Sequence, residues 1–216
     1  MGNYIINEEV LKDLREFNGE WDESIYIDTR FIGRKKLEYA ILFGNEKIVF
    51  IKAGAGGSAC GYRNKYFRMA RRIHALIGAT VICAPNPRII HEDLDEEEIR
   101  KVIEMKNFSD FQMHFVGSSD GAYKNLTLAR RFPQTVKLLS INSSFIELPD
   151  LAYKLSYLGD VSKILVFGTR DYDYKEVLPL KDSKIPNLRF ISVSGANHIF
   201  EGKLEEFIAL IDLLAE

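Results

Sequence analysis

Cysteine is scarce: Cys60 and Cys83 are the only two among 216 residues. They form no C-x-x-C pair and no zinc-ligand spacing, so the chain carries no signature of a disulfide framework or a structural zinc site. Two reduced, partly buried thiols of a cytoplasmic protein are expected instead. An excess of either charge is also lacking, since 29 Lys and Arg stand against 31 Asp and Glu. Without a positive field to hold a phosphate backbone, a dedicated nucleic-acid binder is not expected. No apolar run approaches the ~20 residues of a membrane span. Between Met1 and Arg15, Glu8, Glu9 and Asp13 stand where a secretory signal would be basic and then apolar. Gly2 is not followed by the Ser or Thr that myristoylation wants, because position 6 is Ile6. Repeats, low-complexity tracts and linker-like stretches are absent.

What is there reads as an ordinary globular chain, 46% hydrophobic and 28% charged. At ~150 residues per domain, one domain over 1–216 is expected, large enough to bury a core without staples. Strand-like and helix-like segments alternate. Ser24 to Thr29, Leu37 to Phe43 and Lys47 to Lys52 read as strands of an antiparallel opening, the last two separated by the turn dipeptide Gly44-Asn45. Tyr62 to Ile77 has helical apolar spacing. Thr80 to Ala84 is a short apolar run of the kind buried on both faces in a parallel sheet. Asp95 to Met105 reads as a helix opened by a capping box, Asp95 with Glu98. Strands at Phe111–Val116, Val136–Ile141, Lys163–Phe167 and Arg189–Val193 alternate with helices at Gly121–Phe132, Asp150–Tyr157 and Lys203–Leu214. The pattern predicts an α/β fold: a mostly parallel, doubly wound sheet flanked by helices, with antiparallel N-terminal strands.

Chemistry concentrates at Gly117-Ser118-Ser119-Asp120-Gly121, a G-x-S-x-G run between a predicted strand and a predicted helix. A sharp turn there forces the central residue into a strained backbone and lifts its side chain off the sheet edge. Small residues two before and two after let strand and helix approach. The positive end of the helix faces the same point. Ser119 is therefore the candidate nucleophile, and Ser118 is out of register. A serine needs a base, and the base an orienting acid. Asp171 and Asp173 both follow the strand at Lys163–Phe167, and His198 follows the last strand. All three strand ends fall on the carboxyl edge of the sheet, where open α/β sheets place their sites. The backbone N–H groups of Asp120 and Ala55, the latter in the Gly-rich loop Ala53–Ser58, are the candidate oxyanion donors.

From about Ile48 onward the chain resembles the α/β-hydrolase superfamily, particularly its small lidless or nearly lidless serine hydrolases. The resemblance rests on IVFIKAGAGGS, HFVGSSDGAY, ARRFPQTVKLLSINS, ILVFGTRD and SGANHIFEG. It implies the order nucleophile, acid, histidine, and its G-x-x-D pattern selects Asp171 over Asp173. Two positions depart from the family. Ala53 stands where HG-x-GG would place a histidine, and Ser118 replaces the histidine of G-H-S-x-G. Asp120 is a third oddity, because an acidic side chain next to a developing anion opposes acyl transfer. Turning it to solvent, or pairing it with Arg88 or Lys124, would remove most of that repulsion.

Other readings are weaker on the residues. Gly54 to Ala59 fits G-x-G-x-x-A, but no acid ends the next strand to hold a ribose. The basic residues Arg63, Lys65, Arg68, Arg71 and Arg72 are expected to form a solvated face balanced by the acidic run Glu92–Glu98. Arg88, just past a strand end, is a candidate grip for a substrate carboxylate. His74 and His114 have no second ligand at metal spacing, so no metal site is expected. The expected function is hydrolysis of a small ester or thioester through an acyl-enzyme, without a cofactor. The alternative is a non-catalytic binding or scaffold protein on the same fold. Between the strands ending near Ile141 and beginning near Lys163 there is room only for a short helix, not for a lid domain.

Overall fold

The computed structural model describes residues 25–87 and 92–216. Strands β1 (Ile25–Ile32) and β2 (Lys35–Leu42) form a hairpin whose turn sits at Gly33-Arg34, Gly33 having a φ of +58°. Then come β3 (Asn45–Lys52), α1 (Lys65–Ile77), β4 (Ala79–Ala84), α2 (Glu92–Lys106), β5 (Gln112–Ser118) and α3 (Asp120–Leu128). The remaining elements are β6 (Thr135–Ile141), α4 (Leu148–Tyr157), β7 (Ser162–Gly168), the one-turn α5 (Tyr174–Val177), β8 (Leu188–Val193) and α6 (Leu204–Ala209). The eight-stranded sheet runs β1-β2-β4-β3-β5-β6-β7-β8, antiparallel from β1 to β4 and parallel beyond.

Side-chain alternation divides the core between the two faces of this sheet. Val49 and Ile51 of β3 pack with Phe67, Ile73 and Phe207 from α1 and α6. Ile48 and Phe50 pack with Ile99, Leu126 and Leu151 from α2, α3 and α4. Every residue of β4 is buried, as its unbroken apolar run requires. Among the described residues, no helix is long and apolar enough to cross a membrane.

The antiparallel opening holds for β1 and β2 but not for β3. Gly44-Asn45 is not a hairpin turn; it docks on the start of β4. Gly44 N–H donates to Thr80 Oγ1 at 2.9 Å, and Asn45 N–H to Gly78 O at 2.7 Å. A Cβ on Gly44 would meet Gly78 O at 2.2 Å, so only glycine permits the approach. The chain therefore leaves β2, passes under β4, and enters the parallel sheet on its far side.

The capping box is also corrected. The helix begins three residues earlier than Asp95, so Asp95 and Glu98 lie inside α2 with their side chains turned into the protein. Asp95 accepts from Tyr39 OH at 2.8 Å and lies 2.6 Å from Lys52 Nζ, a fully buried lysine that also donates to Pro85 O at 2.7 Å. This buried pair fixes the end of β3, where the Gly-rich loop begins. The basic face of α1 finds its acids elsewhere than expected. Arg68 pairs with Glu205, and Arg72 with Asp212, both in the C-terminal helices; the acidic run instead receives Arg131 at Asp93 and Glu96.

Glu98, fully buried, accepts from Arg30 at 3.0 Å and faces Asp28. Glu98 Oε1 is buried without a hydrogen bond, and a proton shared with the Asp28 carboxyl, whose Oδ2 lies 2.9 Å from Arg30 Nε, would supply it. Burial first, then the Asp28 contact, pushes Glu98 up to about 7, while Asp28 is lowered despite its burial by Glu98, Lys101 and Arg30. An acid raised on folding stabilises the fold while protonated, and this contribution is lost as pH rises from its ordinary value through 7. Asp28 acts oppositely, below pH 4. Glu98→Gln is therefore expected to flatten the decline of the melting temperature between pH 5 and pH 8. A wild-type slope retained in the variant would refute the shared proton.

Candidate active site

The turn between β5 and α3 puts Ser119 at φ 53°, ψ −130°, a conformation that costs a non-glycine residue about 1–3 kcal/mol. Its surroundings impose it. Ser119 N–H donates to Ile141 O at 3.0 Å, and Ser119 O accepts from Ala122 N–H at 3.0 Å. A Cβ on Gly117 would lie 2.5 Å from Ala122 Cα, and one on Gly121 2.1 Å from Ala53 O. The flanking glycines are thus places where two backbones touch.

Asp171 and His198 arrive from the ends of β7 and β8. The two loops are stitched together: Thr169 N–H donates to Val193 O at 3.0 Å and Arg170 N–H to Ala196 O at 2.8 Å. Asp171, buried, accepts His198 Nδ1–H on Oδ2 at 2.7 Å and Asp173 N–H on Oδ1 at 2.8 Å. His198 Nε2 lies 2.9 Å from Ser119 Oγ. The Asp171 bond fixes the proton on Nδ1 and leaves Nε2 as an acceptor for the serine proton. His198 bonds Asp171, while Asp173 meets Asp171 Oδ1 through its backbone N–H.

The Gly-rich loop is held from two sides. Asn86, fully buried, accepts Gly56 N–H on its backbone O at 2.6 Å and donates its own N–H to Gly57 O at 2.8 Å. Its Nδ2 donates to Ala53 O and to Asp120 Oδ2, both at 2.9 Å. On the other side Tyr66 OH accepts Gly54 N–H at 3.3 Å and bonds Ser118 Oγ at 2.6 Å. These contacts account for both missing family histidines: Ser118 supports the loop through Tyr66, and Asn86 ties it to the elbow. With Gly54, Gly56 and Gly57 committed, the Ala55 N–H meets no acceptor among the described residues, and neither does that of Asp120.

The Asp120 carboxylate does not stand unpaired. Lys124 Nζ lies 3.2 Å from Asp120 Oδ2 and donates to Asn86 Oδ1 at 3.0 Å, so the expected repulsion is largely neutralised. Lys124 fills the role for which Arg88 was the other candidate; Arg88 lies outside the described residues. His74 caps its own helix region through Ala79 O at 2.8 Å, and His114 is buried with neither ring nitrogen hydrogen-bonded, its burial pushing it down to about 4.

Eight strands in this order, a strained serine after β5, and loops after β7 and β8 that converge on it define the architecture. The chain has the α/β-hydrolase fold. Solved structures with this fold superpose over most of it. A protein of unknown function from Agrobacterium tumefaciens, assigned to the alpha/beta hydrolases, matches with a TM-score of 0.65 at 20% identity, over 88% of this chain and 95% of that one. A serine hydrolase without lid from Xanthomonas campestris gives 0.62 at 16%, covering 89% and 94%. The esterase domain of a Rhodothermus marinus protein gives 0.61 at 11%, covering 88% and 95%. No family model matches the sequence, and no curated protein matches it.

Within this α/β-hydrolase fold, three site features escape sequence reading. Asn142, buried at the end of β6, donates from Nδ2 to Asn197 O and His198 O at 3.1 and 2.9 Å and accepts Gly168 N–H at 2.8 Å, joining the acid and histidine loops. Ser144 Oγ lies 3.0 Å from Ser119 Oγ, and Tyr172 stacks on the His198 ring at 4.5 Å. The sole hint in the sequence is a polar run, Asn142-Ser143-Ser144, directly after an apolar strand. Asn86→Ala tests the loop anchor. It is expected to lower kcat by about tenfold to a hundredfold with little change in KM, because a loop shifted by an ångström misplaces an oxyanion donor. Steady-state kinetics alongside a melting curve distinguishes this from unfolding.

Proposed function

We propose that the protein is a serine hydrolase that cleaves small esters or thioesters through an acyl-enzyme. The observation that carries this reading is the relay from Asp171 through His198 to a Ser119 held at φ 53°. In this reading Ser119 Oγ attacks the substrate carbonyl, and His198 Nε2 takes its proton and returns it to the leaving group. Asp171 holds the imidazole and balances its transient charge. The Ala55 and Asp120 N–H groups receive the oxyanion at the positive end of α3. Water then repeats the sequence to release the acid. Each step is carried by the chain's own groups.

The rim supports a small or extended substrate bound openly. The connection from β6 to β7 holds one helix of 10 residues. Tyr172 and Ile199, each next to a site residue in sequence, and Ile146, two residues past Ser144, are 69%, 67% and 86% exposed, an apolar margin suited to a short acyl chain. Two buried cysteines outside any disulfide suit a cytoplasmic setting. The test is covalent labelling by a fluorophosphonate. Labelling of the wild type that disappears in Ser119→Ala supports the reading, whereas labelling retained in that variant, or absent from the wild type, refutes it.

A further inference from the structure

Two hydroxyls that the mechanism above does not use touch its reacting atoms. Tyr172 OH lies 3.2 Å from His198 Nε2, the same nitrogen that Ser119 Oγ approaches at 2.9 Å. Ser144 Oγ lies 3.0 Å from Ser119 Oγ. The four groups form a chain: Ser144, Ser119, His198, Tyr172.

His198 Nε2 has one lone pair, because Nδ1 carries the proton shared with Asp171. It cannot accept fully from both Ser119 and Tyr172. Once Ser119 has given up its proton, Nε2 becomes a donor and accepts nothing. The Tyr172 O–H must then turn to another acceptor. The atom arriving there is the leaving group, which has to come within about 3 Å of Nε2 to be protonated. That places it beside Tyr172 OH, at the exposed rim of the site.

Resting on the serine-hydrolase reading, we propose that Tyr172 hydrogen-bonds the leaving-group oxygen, and that the site is built for oxygen esters in preference to thioesters. Ser119 Oγ adds to the carbonyl carbon, its proton passing to Nε2 and the carbonyl π pair to the oxyanion. The pair returns, and the bond from carbon to the leaving oxygen breaks with its electrons on that oxygen. His198 Nε2–H protonates it, while Tyr172 keeps its own proton and stabilises the charge in transit. Partial burial, then Asp173 and Asp171, push the phenol above its ordinary value, so it remains a donor. A thioester gains little from this arrangement. Sulfur is a weak acceptor, and a thiol, several pKa units more acidic than the corresponding alcohol, departs as thiolate with far less help.

Tyr172→Phe keeps the ring on His198 and removes only the hydroxyl. The experiment compares kcat/KM for the ethyl ester and the ethyl thioester of one short acyl group, since kcat/KM reports the step in which the leaving group departs. The ratio of oxygen ester to thioester is expected to fall about tenfold or more in the variant, the effect of one hydrogen bond to a charged atom. Equal losses on both substrates, or a wild type that labels with fluorophosphonate yet spares the ethyl ester, overturn the proposal while leaving the Ser119 reading intact. A gain on both would show that Tyr172 merely blocks His198, and overturns it too. A wild type that neither labels nor turns over either substrate removes the serine reading and this proposal with it.

Discussion

Purified Ser119→Ala and His198→Ala are each expected to lose about six decades of kcat while melting as the wild type does. The size follows from the proposed relay: if Ser119 and His198 act as one unit of nucleophile and base, removing either would leave only binding and the oxyanion donors. The unchanged stability follows from position. Ser119 and His198 are partly exposed at the carboxyl edge of the sheet, outside both hydrophobic clusters. The strained backbone at 119 is imposed by Gly117, Gly121 and the bond to Ile141 O, none of which needs the hydroxyl. Ester hydrolysis and thermal melting on the same preparations test both halves. Turnover by Ser119→Ala within tenfold of wild type would remove Ser119 from the mechanism.

Asp171→Asn is expected to cost about four decades, and its cause is specific. The Asp173 N–H occupies one carboxylate oxygen, so an amide at 171 must place its carbonyl there and turn its NH₂ towards His198. His198 Nδ1 then has to accept, its proton moves to Nε2, and the base can no longer take a proton from Ser119. Asp173→Asn leaves the backbone N–H in place and is expected to change kcat/KM by less than about threefold. The reverse order of effects would move the acid to Asp173.

These expectations draw on residues that the sequence made legible for a local reason. Ser119, Asp171 and His198 follow the ends of β5, β7 and β8 by one, three and five residues, and a strand end is readable from a few neighbouring residues. The strand order was not so readable. Gly44-Asn45 has the composition of a hairpin turn, and it is the pairing of β4 with both β2 and β3 that places it between them. Asp95 and Glu98 have the spacing of a capping box, yet their partners are Tyr39, Lys52 and Arg30, far away in sequence. Asn86, Asn142, Ser144 and Tyr172 escaped for the same reason. A side chain that bridges loops from distant strands leaves no periodic trace.

The way Asn86 fastens the Gly-rich loop bears on how this site could change over generations. Ala53 is fully buried, a Cβ on Gly57 would come 2.9 Å from its own Cβ, and its carbonyl is held by Asn86. A histidine introduced at 53 would find its space filled and its role already performed. The same asparagine grips Asp120, which Lys124 in turn neutralises. Asn86, Asp120 and Lys124 thus share one set of contacts with the Ala53 carbonyl, so the effect of a substitution at any of them is expected to depend on the residues at the others.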